Sequence, residues 1–117
     1  MIDFSPRPEL EELRTRVRAF VDEHVIPVEQ RVFDEDQRGD DSTLRLLQAK
    51  ARAAGLWTPH LSKDLGGQGL GPMGMAVLFR EMGRSFAGAK VFNCDAPDQG
   101  NMDLLAAVAS DAARERW

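Results

Sequence analysis

One cysteine, two histidines and no tyrosine occur among the 117 residues. The single thiol, Cys94, excludes an internal disulfide and any C-x-x-C metal site, and sparse cysteine use fits a reducing cytoplasm. His24 and His60 show no H-E-x-x-H spacing, so a histidine-based zinc site has no support and neither residue is assigned a catalytic or metal role. No apolar run approaches the ~18 residues of a membrane span. The opening "MIDFSPRPELEE" lacks the basic start and apolar centre of a signal peptide. Cationic surplus is also missing: 15 Lys and Arg face 19 Asp and Glu, a formal net charge of −4. That argues against nucleic acid or an anionic membrane as partner. No internal repeat or low-complexity tract is present.

What is present is helical periodicity. With 43% hydrophobic and 29% charged residues, the chain suits one domain (residues 1–117) with a modest core. Ser5-Pro6 reads as a helix opening. Leu10, Leu13, Val17, Phe20 and Val21 then recur at helical spacing, with Glu9, Glu11, Glu12, Arg14, Arg16 and Arg18 on the other faces. Pro27 should kink or end this helix near His24, with a second helix over about residues 25–36. After the polar turn "EDQRGDDS", Ser42 or Asp41 caps a helix carrying Leu44, Leu47 and Ala51, which ends at Gly55. Residues 56–71 read as loop. From Pro72 a helix carries Met75, Leu78, Phe79 and Met82, with Phe86 extending the stripe. Residues 87–101 read as a second loop. Asp98 is a candidate cap for a helix carrying Met102, Leu105, Val108 and Ala109, and Ser110-Asp111 opens another. The pattern reaches Trp117 without a C-cap, so the chain is expected to be the front piece of a longer protein. The fold class is all-α, with about five to six helices.

The candidate motifs are weak as chemistry. Residues 64–74, "DLGGQGLGPMG", place five glycines in eleven positions, and Gly69 to Gly74 match G-x-G-x-x-G. A dinucleotide site needs a strand before this loop and an acidic residue after a second strand. "SKDLGGQ" is no strand, "KVF" is too short for one, and no Gly-Lys-Ser/Thr follows, so the stretch reads as a turn needing positive φ at several positions. Residues 34–45, "DEDQRGDDSTLR", faintly echo a calcium loop through Asp34, Asp36 and Gly39, but Arg38 and Arg45 sit where oxygen ligands belong. The embedded "RGD" carries no meaning without a secretion signal. Cys94 would need a histidine near it in space to act as a nucleophile, and the sequence offers no sign of one; it reads as a buried or pocket-lining thiol. No catalytic, cofactor-binding or metal-binding residue is found within the chain on this basis.

Three stretches in order resemble the N-terminal helical domain of flavin-dependent acyl-CoA dehydrogenases. "LRTRVRAFVDEHVIPVEQ" resembles the family's charged first helix running into a proline. "LLQAKARAAGLWTPHLSKDLGGQGLG" is similar to its helix ending in Ala-Gly-Leu, then a proline, then a Gly-Gly-x-Gly turn. "VFNCDAPDQGNM" is close to a motif in the larger members that in animals are fused to kinase-like domains. The chain differs in carrying Leu65 where an aromatic residue is common before the two glycines.

The resemblance implies an all-α N-terminal domain, truncated before a middle β-domain and a C-terminal helical bundle. It implies α,β-dehydrogenation of an acyl-CoA thioester with FAD, and a catalytic glutamate and flavin contacts outside this chain, so the 117 residues alone are expected to be inactive and to bind no cofactor. An electron-transfer flavoprotein or similar acceptor and homo-oligomerisation are implied likewise, while a cytoplasmic location is expected from the cysteine usage. The chain would wall the acyl pocket through about residues 93–105, with Asn93, Ala96, Pro97, Gly100 and Leu104 as candidate substrate-pocket residues. Ala96 and Gly100 would share a face if the helix reaches back that far. A face of Val91, Phe92, Met102 and Leu105 is expected to be partly exposed. A non-catalytic helical interaction module or degenerate relative is the competing reading, and a nucleotide-binding domain on the glycine loop a third.

Overall fold

The computed structural model describes residues 5–116, and Trp117 and the first four residues lie outside this range. Seven α-helices and no strand are found among the described residues: α1 (Pro8–Phe20), α2 (Glu29–Asp36), α3 (Ser42–Ala53), α4 (Pro72–Met82), α5 (Gly88–Val91), α6 (Asp98–Val108) and α7 (Asp111–Arg116). The all-α expectation holds, with one helix more than the sequence pattern suggested.

The first helix opens at Pro8, two residues later than expected. Arg7 takes the extended cap position without a side-chain cap bond, and Glu9 and Glu11 place negative charge in the first turn, where the helix dipole favours it. Leu13, Val17, Phe20 and Val21 are buried, as their spacing requires, and Leu10 packs at the margin. Pro27 does not end the helix near His24. The chain widens into a π turn (Val21–Val25), tightens into a 3-10 turn (Ile26–Val28) and resumes as α2. Shifting the hydrogen-bond register around a proline, which has no N–H to donate, keeps the segment helical while Val25 and Val32 stay in the core.

The start of α3 is satisfied from outside the helix. Asp41 holds the cap position, as expected, but makes no side-chain cap bond. Glu35 of α2 accepts from the Thr43 N–H and from the Thr43 hydroxyl, both at 2.8 Å. Its far end is a Schellman stop at Gly55 (φ +70°), with Leu56 N–H donating to the Ala51 carbonyl and Gly55 N–H to that of Arg52.

α1 packs along α4, and α3 packs on α5. Met75, Leu78 and Met82 face the core, but Phe86 does not extend their stripe: it is exposed and meets Phe33 edge-on, ring centroids 5.7 Å apart. The segment 87–101, read from sequence as loop, contains α5. This single turn lies so close to the end of α4 that a Cβ on Gly88 would fall 1.9 Å from the Met82 carbonyl oxygen. Val91 and Phe92 are therefore fully buried, contrary to the exposed face expected of them, and Phe92 packs edge-on against Phe20. Met102 and Leu105 are half-buried.

One polar group lies inside the α1–α4 contact. Glu81 of α4 is 3% exposed. Arg14 Nη1 donates to its carboxylate at 2.6 Å, and Arg18 and Arg84 stand at 3.7 and 3.9 Å. Glu81→Ala leaves these guanidiniums without their buried anion and should cost about 2–3 kcal/mol in urea unfolding. Glu11→Ala, on the exposed side of the same Arg14, should leave the unfolding midpoint almost unchanged.

Candidate functional site

The five residues singled out as pocket candidates lie along one stretch of chain that crosses from the core to the surface. Asn93 follows α5 with φ +57°, a left-handed conformation, and its Nδ2 donates to Met102 Sδ at 3.2 Å. Ala96 and Pro97 are exposed and joined by a cis peptide bond. Because α6 begins at Asp98, Ala96 precedes the first turn and does not share a helical face with Gly100. Gly100 and Leu104, one turn apart within α6, do. A Cβ at Gly100 would meet nothing within 4 Å, and Leu104 is 60% exposed. No residue of α6 is buried. The arrangement is an open ledge of small and apolar groups rather than an enclosed cavity.

The glycine stretch builds something else. Lys63–Leu65 is a 3-10 turn, so no strand leads into Gly69. Gly66 (φ +86°) and Gly69 (φ +65°) supply the left-handed turns, while Gly67 is required for space: a Cβ there would lie 2.0 Å from the Leu61 carbonyl oxygen. The loop folds back on residues 58–62 through Gly67 N–H to Ser62 O and Gly69 N–H to Leu61 O. The amides of Gly66, Gly67, Gln68 and Gly69 thus donate to Lys63, Ser62, Pro59 and Leu61 within the turn. An open groove separates this loop from α1, and Glu9 and Glu12 line it along with Arg7, Arg16 and Lys63. Such a mixed lining makes no anion cradle. The calcium-like segment is not a single loop either, because Asp34 and Asp36 belong to α2 and Arg45 of α3 pairs with Asp41 at 2.7 Å.

Residues the sequence left apart meet at the root of the ledge. His60 Nδ1 lies 3.8 Å from Cys94 Sγ, and His60 Nε2 lies 3.6 Å from Asp103 Oδ1 of α6. The loop that carries His60 is fixed by Thr58 N–H donating to the Phe92 carbonyl at 3.0 Å and by the fully buried Pro59. The order Cys–His–Asp is that of a nucleophilic site, but the electrostatics oppose activation. Burial, with Asp103 adding to it, pushes the Cys94 thiol up to about 12. Burial also lowers the His60 imidazole from its ordinary value, with Asp103 partly opposing. A thiolate next to an imidazolium is the reactive state, and both shifts disfavour it. Cys94 Sγ has a second contact, the Phe92 carbonyl oxygen at 3.4 Å. The thiol is therefore a buried structural group, as the sequence suggested, although the histidine beside it was not foreseen. Nothing in the spacing of residues 60, 94 and 103 announces the cluster, since two irregular segments set its geometry.

Comparison with known proteins identifies the domain. The family model described as "Acyl-CoA dehydrogenase, N-terminal domain" matches residues 7–117. The chain is 32% identical over 115 residues to acyl-CoA dehydrogenase family member 11 of Mus musculus, covering 92% of this chain and 14% of that protein. It is 32% identical over 124 residues to a protein described as acyl-CoA dehydrogenase FadE2 of Mycobacterium tuberculosis, covering 99% of this chain and 30% of that one. A solved structure described as an acyl-CoA dehydrogenase from Mycobacterium abscessus superposes with a TM-score of 0.83 at 38% identity, over 97% of this chain and 31% of that chain. The chain thus spans under a third of the length of these relatives.

Cys94 gives a direct test of the cluster. Moving a thiol from 9.0 to about 12 lowers its thiolate fraction about a thousandfold at mildly alkaline pH. Native alkylation should be slower than that of the urea-denatured chain by at least this factor. Because the folded value lies above the unfolded one, the thiol contributes its full stability below pH 9.0 and loses it as pH rises toward about 12. Cys94→Ser, with an alcohol that does not titrate in this range, should flatten that part of the stability profile.

Proposed function

Because the chain belongs to the acyl-CoA dehydrogenase family as its N-terminal domain, we propose that it serves an FAD-dependent enzyme that dehydrogenates an acyl-CoA thioester between its α and β carbons, and that it walls the acyl-chain pocket. The glycine loop is a poor match for the flavin pyrophosphate, because the amides of residues 66–69 bond within the turn and Gly67 is packed against the Leu61 carbonyl. Flavin binding and the proton and hydride transfers belong, on this reading, to parts of the enzyme outside this chain. The 117 residues alone would bind no FAD and be inactive. An electron-transfer flavoprotein as acceptor, a homo-oligomeric assembly and a cytoplasmic setting complete the proposal.

The α6 ledge is the observation that carries the pocket assignment. A wall for a hydrocarbon chain must be apolar and must leave volume for the chain. Gly100 and Ala96 provide volume, Leu104 and Pro97 provide apolar surface, and α6 buries none of its side chains in its own domain. Placing Phe at Gly100 fills the space one turn from Leu104. In the full-length enzyme, Gly100→Phe should lower kcat/KM for long acyl chains by about tenfold or more relative to short ones, the scale of a lost apolar subsite. An identical chain-length profile would remove the assignment. Gly100→Ala serves as control, since its Cβ meets nothing and alanine favours the helix by about 1 kcal/mol.

A second reading, a non-catalytic helical module for protein contacts, has support in the same exposed apolar residues, Leu104 and Val108, and in the exposed Phe33–Phe86 pair. Flavin absorbance in the purified longer protein separates the two.

A further inference from the structure

α6 carries Gly100 and Leu104 but anchors itself with no buried side chain. Its larger contact within the fold is with α7, which also buries none. Two neighbouring residues of α6 reach the body of the domain. Met102 accepts from Asn93 Nδ2 at 3.2 Å, and Asp103 faces the His60 imidazole. The His60 side chain is 3% exposed, and its Nε2 is buried without a hydrogen-bond partner within ordinary distance, with Asp103 Oδ1 next at 3.6 Å. Leaving a buried ring nitrogen unsatisfied is costly, and the Asp103 carboxylate is an acceptor standing toward it. The other ring nitrogen, facing the protonated Cys94 thiol at 3.8 Å, can accept the S–H. The Cys94 S–H has the Phe92 carbonyl as a nearer acceptor, at 3.4 Å, so it is the Asp103 carboxylate, which only accepts, that favours the tautomer with its hydrogen on Nε2, the atom that faces α6.

We infer that His60 is a positioning residue: held between Cys94 and Asp103, it donates from Nε2 to Asp103 and fixes α6, and with it the Gly100–Leu104 face, against the body of the domain. The anchor follows from geometry alone. Its effect on acyl-chain selection rests on the pocket assignment proposed above.

Hydrogen exchange of the intact protein, followed by peptide-level mass spectrometry, tests the anchor. Asp103→Ala and His60→Leu should each speed exchange of the α6 amides by about tenfold or more, while the amides of α1, α3 and α4 keep their rates. His60→Gln places an amide donor near the Nε2 position and should restore slow exchange in α6, which a general loss of packing would not allow. Asp103 is half-exposed, so its truncation leaves the core intact and keeps the test valid even if His60→Leu folds poorly. Unchanged α6 exchange in Asp103→Ala overturns the anchor. Where α6 loosens, the same variants in the full-length enzyme should raise KM for long acyl-CoA substrates more than for short ones, with kcat little altered. Faster exchange with a uniform KM change would overturn the pocket assignment and not the anchor.

Discussion

A carboxylate with almost no access to water is the constraint on which this domain depends. Glu81 sits between α1 and α4, and an unpaired charge there would cost more than the contact returns. The arginines therefore fix geometry as well as charge. Arg14 must come from the face of α1 that meets α4, Arg18 must follow one turn later, and Arg84 must lie just past the end of α4. Arg84 also pairs with Asp22 in the π turn after α1, tying the same two segments at a second height. Rotating α1 about its axis would turn both arginines away and strand Glu81. Apolar packing supplies the attraction between these helices, and the charged group selects the register.

The rest of the fold hangs from that pair. α4 ends at Met82, and the close approach of Gly88 to the Met82 carbonyl turns the chain back at once, which packs α5 on α3 and sets Phe92 against Phe20 at the end of α1. Phe92 then has a carbonyl available to Thr58 and a ring to set against Phe20. Backbone contacts of this kind place the irregular loops as firmly as the helices, and the His60–Cys94 contact is a consequence.

The sequence exposes some of this and conceals the rest for identifiable reasons. The stripe from Leu13 to Val21 was legible because thirteen residues of α1 repeat the helical period on one face. The Gly55 stop was legible because left-handed φ at a helix end is a demand that glycine meets cheaply. Four residues of α5 hold too little periodicity to register, so Val91 and Phe92 were misplaced on the surface. Arg14 and Arg18 read as solvated charges because the partner that draws them inward stands on another helix. Phe86 fits the spacing of its stripe yet lies beyond the last turn of α4, where that spacing no longer applies. The candidate site divides similarly. Family resemblance marked about residues 93–105, Asp103 included, as a unit, whereas His60 joins it only in three dimensions.

As the proposed wall for another molecule, α6 has to meet a requirement within its own domain. A side chain buried in the core stabilises the fold but is lost to a ligand, so a helix that presents Gly100 and Leu104 outward cannot also be held by the usual apolar stripe. Polar ties at its inner edge resolve the conflict. Directional contacts at Asn93–Met102 and His60–Asp103 specify where the helix sits while consuming none of its outward surface. They also bury little apolar area, so α6 belongs to the low-stability end of the domain. A helix held this way can be repositioned by changing one donor, whereas α1 and α4 can move only by breaking the core.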